Sequence, residues 1–257
     1  MDTKNLLIVE PTPEQAVALL MADKIQCWID QIPKWRRMPR IAGNEANFNR
    51  AIAATQIAKA SGRLMRSTSD VLNANIDGVL GHQARTAYEL YTDAAWLRMK
   101  DGDGRLSEQF MTWHLVAMHE INGRPEFGAA AIQEARRRYG DRLNRSPDEW
   151  TVIEGERTVT NSNNRRQAVA AKLEGEGLEG IVDVARGMFR MLNTLSHGVT
   201  ATATGGEVVL TRNIMTGCYL TTQECQDWLC EMAGGFPDHE SEVISKLLWK
   251  HASECLT

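Results

Sequence analysis

An arginine, an asparagine and a histidine lie close together in the segment RMLNTLSH, residues 190–197. At ~100° per residue, the seven-residue step from Arg190 to His197 returns to within ~20° of its starting direction, so the two residues would share one face of a helix. A histidine can exchange a proton near neutral pH, and an arginine offers a fork of donors that fits a phosphate. Such a pair could cleave RNA without a metal, with His197 as general acid and base, Arg190 as the phosphate clamp and Asn193 orienting the substrate.

The helix predicted over residues 178–197 would carry this polar face opposite its apolar stripe. The apolar positions are Ile181, Val184, Ala185, Met188, Leu192 and Leu195. Arg186 projects with the polar residues, and it is a candidate for substrate contact. A polar face that points away from the core is also typical of an ordinary solvated helix, so one helix alone leaves both interpretations open.

A second charged face is predicted on the helix over residues 79–99. Arg85 and Glu89 have the i, i+4 spacing that favours an ion pair within the helix, worth roughly a few tenths of a kcal/mol. The alternative is that Glu89 reaches across to Arg190 or His197 and orients it, as a carboxylate holds a catalytic histidine. Arg85 joins Arg186 as a candidate for substrate contact. The sequence is compatible with either arrangement of Glu89.

The segment RMLNTLSH resembles the R-x4-6-H motif of the HEPN superfamily, helical bundles named for nucleotide binding in higher eukaryotes and prokaryotes. Met191 stands where that superfamily has a polar residue directly after the arginine, and the polar Asn193 comes two places later. In HEPN nucleases two such motifs meet across a dimer. The resemblance therefore implies a homodimer in which the two copies of His197 face one cleft.

A broader resemblance covers about half of the chain, from roughly residue 79 to residue 200. The segment at 85–104, then Trp150, then the segment at 188–198 are similar to a family of uncharacterised bacterial helical proteins, known as a domain of unknown function. The shared pattern is an arginine and a glutamate that open one helix and a Ser-His pair that closes a later one. This resemblance implies a helical fold and no particular activity.

Helical patterns dominate the rest of the chain. Thr12 as a cap, Pro13 in the first turn and Glu14 predict a helix start, and Pro33 is expected to stop that helix. Further helices are predicted over residues 44–76, with a bend near Ser61-Gly62, and over 79–99, 106–122, 126–143, 164–175, 178–197, 221–233 and 238–254. The segment TATATGGEVVLTRN, residues 200–213, alternates β-forming residues around two glycines and predicts a hairpin.

These elements predict a mainly α protein, a HEPN-like helical bundle with one small β-hairpin. A length of 257 residues with 43% hydrophobic and 24% charged residues suits one large domain or two small ones. We place a domain boundary near residue 78, with N-terminal helices over 1–78 and the bundle with its hairpin over 79–257. The same residues are compatible with a single domain.

Charge and cysteine content narrow the functional classes. A net charge of −4 and a pI of about 5.9 argue against a protein that coats nucleic acid through its overall field, so any nucleic-acid contact must be local. The five cysteines form no CxxC pair and predict free thiols in a reducing cytoplasm. The sequence shows no apolar core of a signal peptide and no run of ~18 apolar residues that would span a membrane. We expect a soluble cytoplasmic protein.

Other clusters of reactive or charged residues are weaker candidates. His114 and His119 are five residues apart, which separates them by ~140° on a helix and argues against a metal site there. We expect neither a metal nor another cofactor. The basic segments KWRRMPR (34–40) and ARRRYGDRLNR (135–145) could hold single-stranded RNA, but cations near a helix C-terminus also suit the helix dipole.

The leading expectation from the sequence is a metal-independent endoribonuclease of a toxin or anti-phage defence type. Its partners would be RNA and a second copy of the chain. The alternative is a non-catalytic helical interaction module, or a subunit of a defence or regulatory assembly, in which the same polar face binds a protein.

Overall fold

The computed structural model describes residues 12–74, 77–111, 152–153, 156–157, 162–175 and 206–256, and these are mainly helical. The helices are α1 (Pro13–Ile29), α2 (Ile32–Arg36), α3 (Pro39–Ala42), α4 (Glu45–Ala74), α5 (Asp77–Lys100), α6 (Ser162–Gly175), α7 (Gly206–Ala233) and α8 (His239–Leu256). Residues 105–111 are also helical. Two short strands, β1 (Val152–Ile153) and β2 (Glu156–Arg157), pair antiparallel. Helix occupies more than half of the chain, so the prediction of a mainly α protein is confirmed.

The start of α1 follows its predicted capping signals. Thr12 is the N-cap: its hydroxyl accepts a hydrogen bond from the Gln15 backbone N–H at 3.3 Å, and the Gln15 side chain accepts one from the Thr12 N–H at 2.8 Å. Pro13 occupies the first turn, where its missing N–H leaves no hydrogen bond unmade. The predicted end differs, because α1 already stops at Ile29 and Pro33 lies in the first turn of α2. The proline therefore starts the next helix.

Helix α4 runs without a break from Glu45 to Ala74, through the Ser61-Gly62 position at which the sequence predicts a bend. The two small residues there allow other helices to approach. A Cβ on Gly62 would lie 2.8 Å from the Cδ1 of Ile29, so α1 packs closely there. The Ser61 hydroxyl donates a hydrogen bond to the backbone carbonyl of Cys218 at 3.1 Å, which joins α4 to α7.

The hairpin predicted over residues 200–213 is not formed in its second half. Residues 206–213 are the first two turns of α7, and residues 200–205 lie outside the described part of the chain. Val208, Val209 and Thr211 produced the strand signal, because β-branched residues favour strands. Leu210 and Ile214 are buried at helical spacing, and this tertiary packing overrides the local preference.

Helices α5 and α7 cross at close range. A Cβ on Gly217 would lie 2.8 Å from the Cβ of Ala87 and 3.0 Å from its carbonyl carbon, so only a glycine fits. The buried hydroxyls of Thr221 and Thr222 donate to carbonyl oxygens one turn earlier in α7, at 2.7 and 2.8 Å. The crossing is therefore tight and leaves these hydroxyls satisfied.

Helices on both sides of residue 78 contribute to one hydrophobic core. Its largest fully buried side chains include Trp28 of α1, Trp35 of α2 and Trp228 of α7. The Trp35 indole N–H donates to the carbonyl of Gly235 at 3.2 Å, which holds α2 against the turn between α7 and α8. The predicted boundary near residue 78 thus separates elements that pack together.

We predict that Gly217→Ala lowers the free energy of unfolding by about 1–3 kcal/mol, because the added methyl group overpacks the crossing with Ala87. In an open helix the same change would be stabilising, since alanine is the better helix former. Gly175→Ala at the end of α6 is the matched control, since a Cβ there meets nothing within 4 Å. Urea unfolding of both variants measures the effect. An increase in stability for Gly217→Ala would contradict the close crossing.

Candidate functional site

The charged face of α5 contains the first pair of predicted residues. The Nε of Arg85 lies 3.0 Å from Oε1 of Glu89, and their side chains are 33% and 37% exposed. The ion pair within the helix, one of the two arrangements considered for Glu89, is therefore present. At this exposure such a pair contributes about 0.3–0.5 kcal/mol, too little to account for the placement of α5.

One turn further along α5, Asp93 pairs with an arginine from another helix. The Nε of Arg165, near the start of α6, donates to Oδ1 of Asp93 at 2.8 Å. Only 13% of the Arg165 side chain and 16% of the Asp93 side chain are exposed. Because one partner comes from each helix, this pair fixes how α6 lies on α5.

Burial changes the acidity of the Asp93 carboxyl group. It raises the pKa of Asp93 to about 6, and the charge and hydrogen bond of Arg165 oppose this rise only in part. The neighbouring Glu89 adds a smaller upward contribution. A carboxyl group with a pKa near 6 can gain or lose a proton close to neutral pH.

A second arginine of α6, Arg166, lies close enough to the same carboxylates to interact with them electrostatically. Burial lowers the pKa of Arg166, while the charge of Glu89 opposes this change and the charges of Arg85 and Arg165 add to it. The α5–α6 face thus combines three arginines with two carboxylates. Guanidinium groups bind phosphates through paired donors, so a face of this composition suits a phosphate-bearing ligand. We call Arg85, Glu89, Asp93, Arg165 and Arg166 the α5–α6 cluster.

The structure covers only part of the predicted site. Arg85 and Glu89 lie together on α5, as described above. The candidates on the predicted helix over 178–197 lie outside the described residues: Arg186, Arg190, Asn193 and His197. The same holds for His114, His119 and the basic segment at 135–145. Their roles stay predictions.

Sequence reasoning missed the partners that α6 supplies. Asp93 follows Glu89 by one turn of the predicted 79–99 helix, but its partner lies on a different helix. Arg165 is 72 residues away from Asp93 in sequence. The one available signal was the Arg-Arg pair in the otherwise uncharged segment SNNRRQAVAA.

A separate charged cluster connects α5 to α7. Arg98 lies 2.9 Å from a carboxylate oxygen of Glu224 and 3.3 Å from one of Asp227, and it also binds Glu231. Burial alone would lower the pKa of Arg98, but the hydrogen bonds that Arg98 donates to Glu231 and Glu224 reverse this effect and raise it. One cation held by three carboxylates has no capacity left for an anionic ligand. The Arg98 cluster is therefore structural.

Neither a family model, nor a curated protein, nor a solved structure matches this chain. The residues that the structure describes contain no helix long and apolar enough to cross a membrane. Over the same residues, no group of three or more His, Cys, Asp or Glu side chains is arranged to hold a metal ion.

The raised pKa of Asp93 predicts a pH-dependent stability. Between pH ~4 and ~6 the folded protein keeps a proton on Asp93 that the unfolded chain has lost. The contribution of Asp93 to the free energy of unfolding is therefore most favourable below pH ~4, and it declines as the pH rises through 6. Relative to Asp93→Asn, the wild type should lose up to about 3 kcal/mol of unfolding free energy across this range. Urea unfolding at pH 4, 5, 6 and 7 measures the difference.

Arg165→Gln tests the cause of the same effect. Because Arg165 holds the pKa of Asp93 down, its removal should extend the loss of stability to higher pH. If the wild type and Asp93→Asn change in parallel from pH 4 to 7, Asp93 does not titrate as described.

Proposed function

We propose that this protein is a metal-independent endoribonuclease of a toxin or anti-phage defence type, built on a HEPN-like helical bundle. The observation that carries the proposal is the α5–α6 cluster, in which two arginines of α6 lie against the carboxylates of α5. Only residues 176 and 177 separate α6 from the helix predicted over 178–197. In helical bundles, a short connection usually joins two antiparallel neighbours. The predicted helix would then pack beside α6, and this supports a position of Arg190 and His197 next to the α5–α6 cluster.

The proposed reaction uses the 2′-hydroxyl of RNA as the nucleophile. His197 removes the proton of this hydroxyl, and the oxygen attacks the adjacent phosphorus. The bond to the 5′-oxygen breaks, and that oxygen takes up a proton from the imidazolium. Arg190 stabilises the charge that develops on the phosphorane oxygens. The products are a 2′,3′-cyclic phosphate and a 5′-hydroxyl end, and no metal is needed.

The remaining predicted residues have supporting roles. Asn193 orients the substrate, and Arg186 and Arg85 contact neighbouring phosphates. Glu89 pairs with Arg85 through Oε1 at 3.0 Å, and its other carboxylate oxygen supports the site by orienting His197. The buried Asp93–Arg165 pair holds α6 against α5.

A homodimer is part of the proposal, because the HEPN resemblance places two motifs across one cleft. We also assign the protein to the cytoplasm. Among the cysteines that the structure describes, Cys27, Cys218, Cys225 and Cys230 are free thiols, as expected in a reducing compartment. Burial raises the pKa of Cys218 and of Cys225, so these thiols stay protonated and unreactive.

The dimer is tested by its mass in solution. At micromolar concentration the mass should be about twice the 28.7 kDa of one chain. Light scattering coupled to size-exclusion chromatography makes this measurement. A mass of one chain at every concentration up to ~100 µM, well above the Kd of a specific dimer, would rule out the composite cleft.

The catalytic roles are tested by substitution. His197→Ala should lower RNA cleavage by roughly 10²-fold or more, because the proton transfers lose their acid and base. Arg190→Ala should lower it by roughly 10²-fold as well, since the developing charge loses its paired donors. Cleavage by the wild type should persist in excess chelator. Gel assays on structured and unstructured RNA, with both variants and the wild type in chelator, provide the measurement.

His239→Ala is the matched control, since His239 is an exposed histidine on α8. It should cut RNA at the wild-type rate. If the wild type leaves every RNA intact, or if His197→Ala cuts as fast as His239→Ala, the nuclease assignment fails.

The alternative function is a non-catalytic interaction module. It is favoured by the observation that Arg85 and Arg165 each already bind a carboxylate of α5. In that case the α5–α6 cluster stabilises the bundle, and the exposed part of the face binds a protein partner. Failure of the cleavage assay with a correctly folded wild type would favour this function.

A further inference from the structure

A groove of about 470 Å³ lies between α1, α2 and α4, and the α5–α6 cluster contributes no residue to its lining. Ile29 and Ile32 form its apolar wall, and both are buried. Arg36 from α2 and Lys59 and Arg63 from α4 add three cations. A volume of this size falls within the range of sites for small organic ligands, ~300–1,000 Å³.

The charges that line this groove are not balanced within it. Among the lining residues, Asp30 is the one carboxylate, and it accepts a hydrogen bond from the amide of Gln26 at 2.8 Å. In the part of the chain that the structure describes, Arg36, Lys59 and Arg63 form no salt bridge. Three like charges around one concavity repel each other, and a bound anion would remove that repulsion.

Arg36 is held in place without using its hydrogen-bonding capacity on the protein. Its guanidinium lies over the ring of Phe48, 5.4 Å from the centroid. Its Nε is buried and has no hydrogen-bond partner among the described residues. Because this Nε is out of reach of solvent, a ligand in the groove would be bound by the terminal nitrogens of Arg36, which form no salt bridge with the described residues.

We propose that the groove binds a small organic phosphate, a phosphate monoester attached to an apolar or planar group such as that of a nucleotide. Arg36 binds the phosphate oxygens through its guanidinium, and Lys59 and Arg63 supply further positive charge. The organic group packs against the exposed ring of Pro33 and the accessible edge of Ile29. This binding does not depend on the proposed nuclease activity, because no residue assigned to that reaction lines the groove.

Calorimetric titration of the full-length protein at low ionic strength tests the ligand class. Adenosine 5′-monophosphate, adenosine and inorganic phosphate are the probes. The nucleotide should bind at micromolar to millimolar concentration, inorganic phosphate at least about fivefold more weakly, and adenosine not measurably. Absence of nucleotide binding at 10 mM, or binding of adenosine as tight as that of the nucleotide, would overturn the proposal.

Substitutions test the location. Lys59→Gln and Arg63→Gln should each weaken nucleotide binding by about tenfold or more, because each removes a charge-assisted contact. Arg36→Lys should also weaken it, since lysine keeps the charge and loses the planar fork. Both α4 residues are exposed, so the variants should unfold at the wild-type temperature. If all three variants bind the nucleotide as tightly as the wild type does, this groove is excluded as the binding site.

Arg66→Gln is the matched control on α4, because Arg66 does not line the groove and pairs with Asp23 at 2.7 Å. It should leave nucleotide binding unchanged. A loss equal to that of Arg63→Gln would show that only the general positive field is responsible, and it would contradict the site. A single-stranded oligonucleotide that binds when the mononucleotide does not would overturn the assignment to a small ligand.

Discussion

The close crossing of α5 and α7 is the constraint on which the described part of the structure depends. Gly217 lets the backbone of α7 approach Ala87 of α5 to a distance that no side chain would permit. Ser61 of α4 binds the adjacent carbonyl of Cys218, so α4 is drawn to the same point of α7. Three helices therefore meet where the side chains are smallest, and bulky residues such as Trp28 and Trp228 are buried elsewhere in the same core.

The crossing leaves α5 with two faces of different character. Ala84, Ala87 and Ala94 are buried in the core that α5 shares with α7, while Glu89 and Asp93 lie four residues apart on another face. The second face carries the ion pair to α6. Because α7 fixes α5 from one direction, the carboxylates on the other face have a defined position. This rigidity is what a binding or catalytic surface requires.

The two charged clusters of α5 differ in the balance of their charges. Around Arg98, three carboxylates surround one guanidinium, and the result is a clamp between α5 and α7. In the α5–α6 cluster three arginines lie near two carboxylates, and Arg85 and Arg165 each pair with one of them. The groove between α1, α2 and α4 is lined by three cations and one carboxylate, and these cations form no salt bridge with the described residues. A surplus of cations in a concave setting distinguishes a candidate binding surface from a structural salt bridge.

Local signals predicted most of the long helices, but not the short helices α2 and α3. Thr12, Pro13 and Gln15 define the start of α1, and the ranges of α4 and α5 agree with the predicted helices within a few residues. The hairpin prediction failed at residues 206–213 because β-branched residues outweighed the helical spacing of Leu210 and Ile214, whose burial depends on the whole fold. Contacts between residues that are distant in sequence could not be predicted from these local signals either.

Prediction of the candidate site was limited in the same way, to contacts within one helix. The pair Arg85 and Glu89 was visible because both residues lie on one helix. The Asp93–Arg165 pair joins residues 72 positions apart, and nothing in the local sequence specifies it. Likewise, Arg36 belonged to a recognised basic segment, but its association with Lys59 and Arg63 depends on how α2 packs near α4. Sequence patterns identify the reactive residues, and tertiary packing decides which of them meet.

The central claim is that the charged face of α5 and the motif at 190–197 form one site. Nuclear magnetic resonance titration of the His197 imidazole, in the wild type and in Glu89→Gln, tests this claim most directly and needs no substrate. A nearby carboxylate raises the pKa of a histidine, so the substitution should lower the pKa of His197 by about half a unit or more. An unchanged pKa in Glu89→Gln would contradict the shared site.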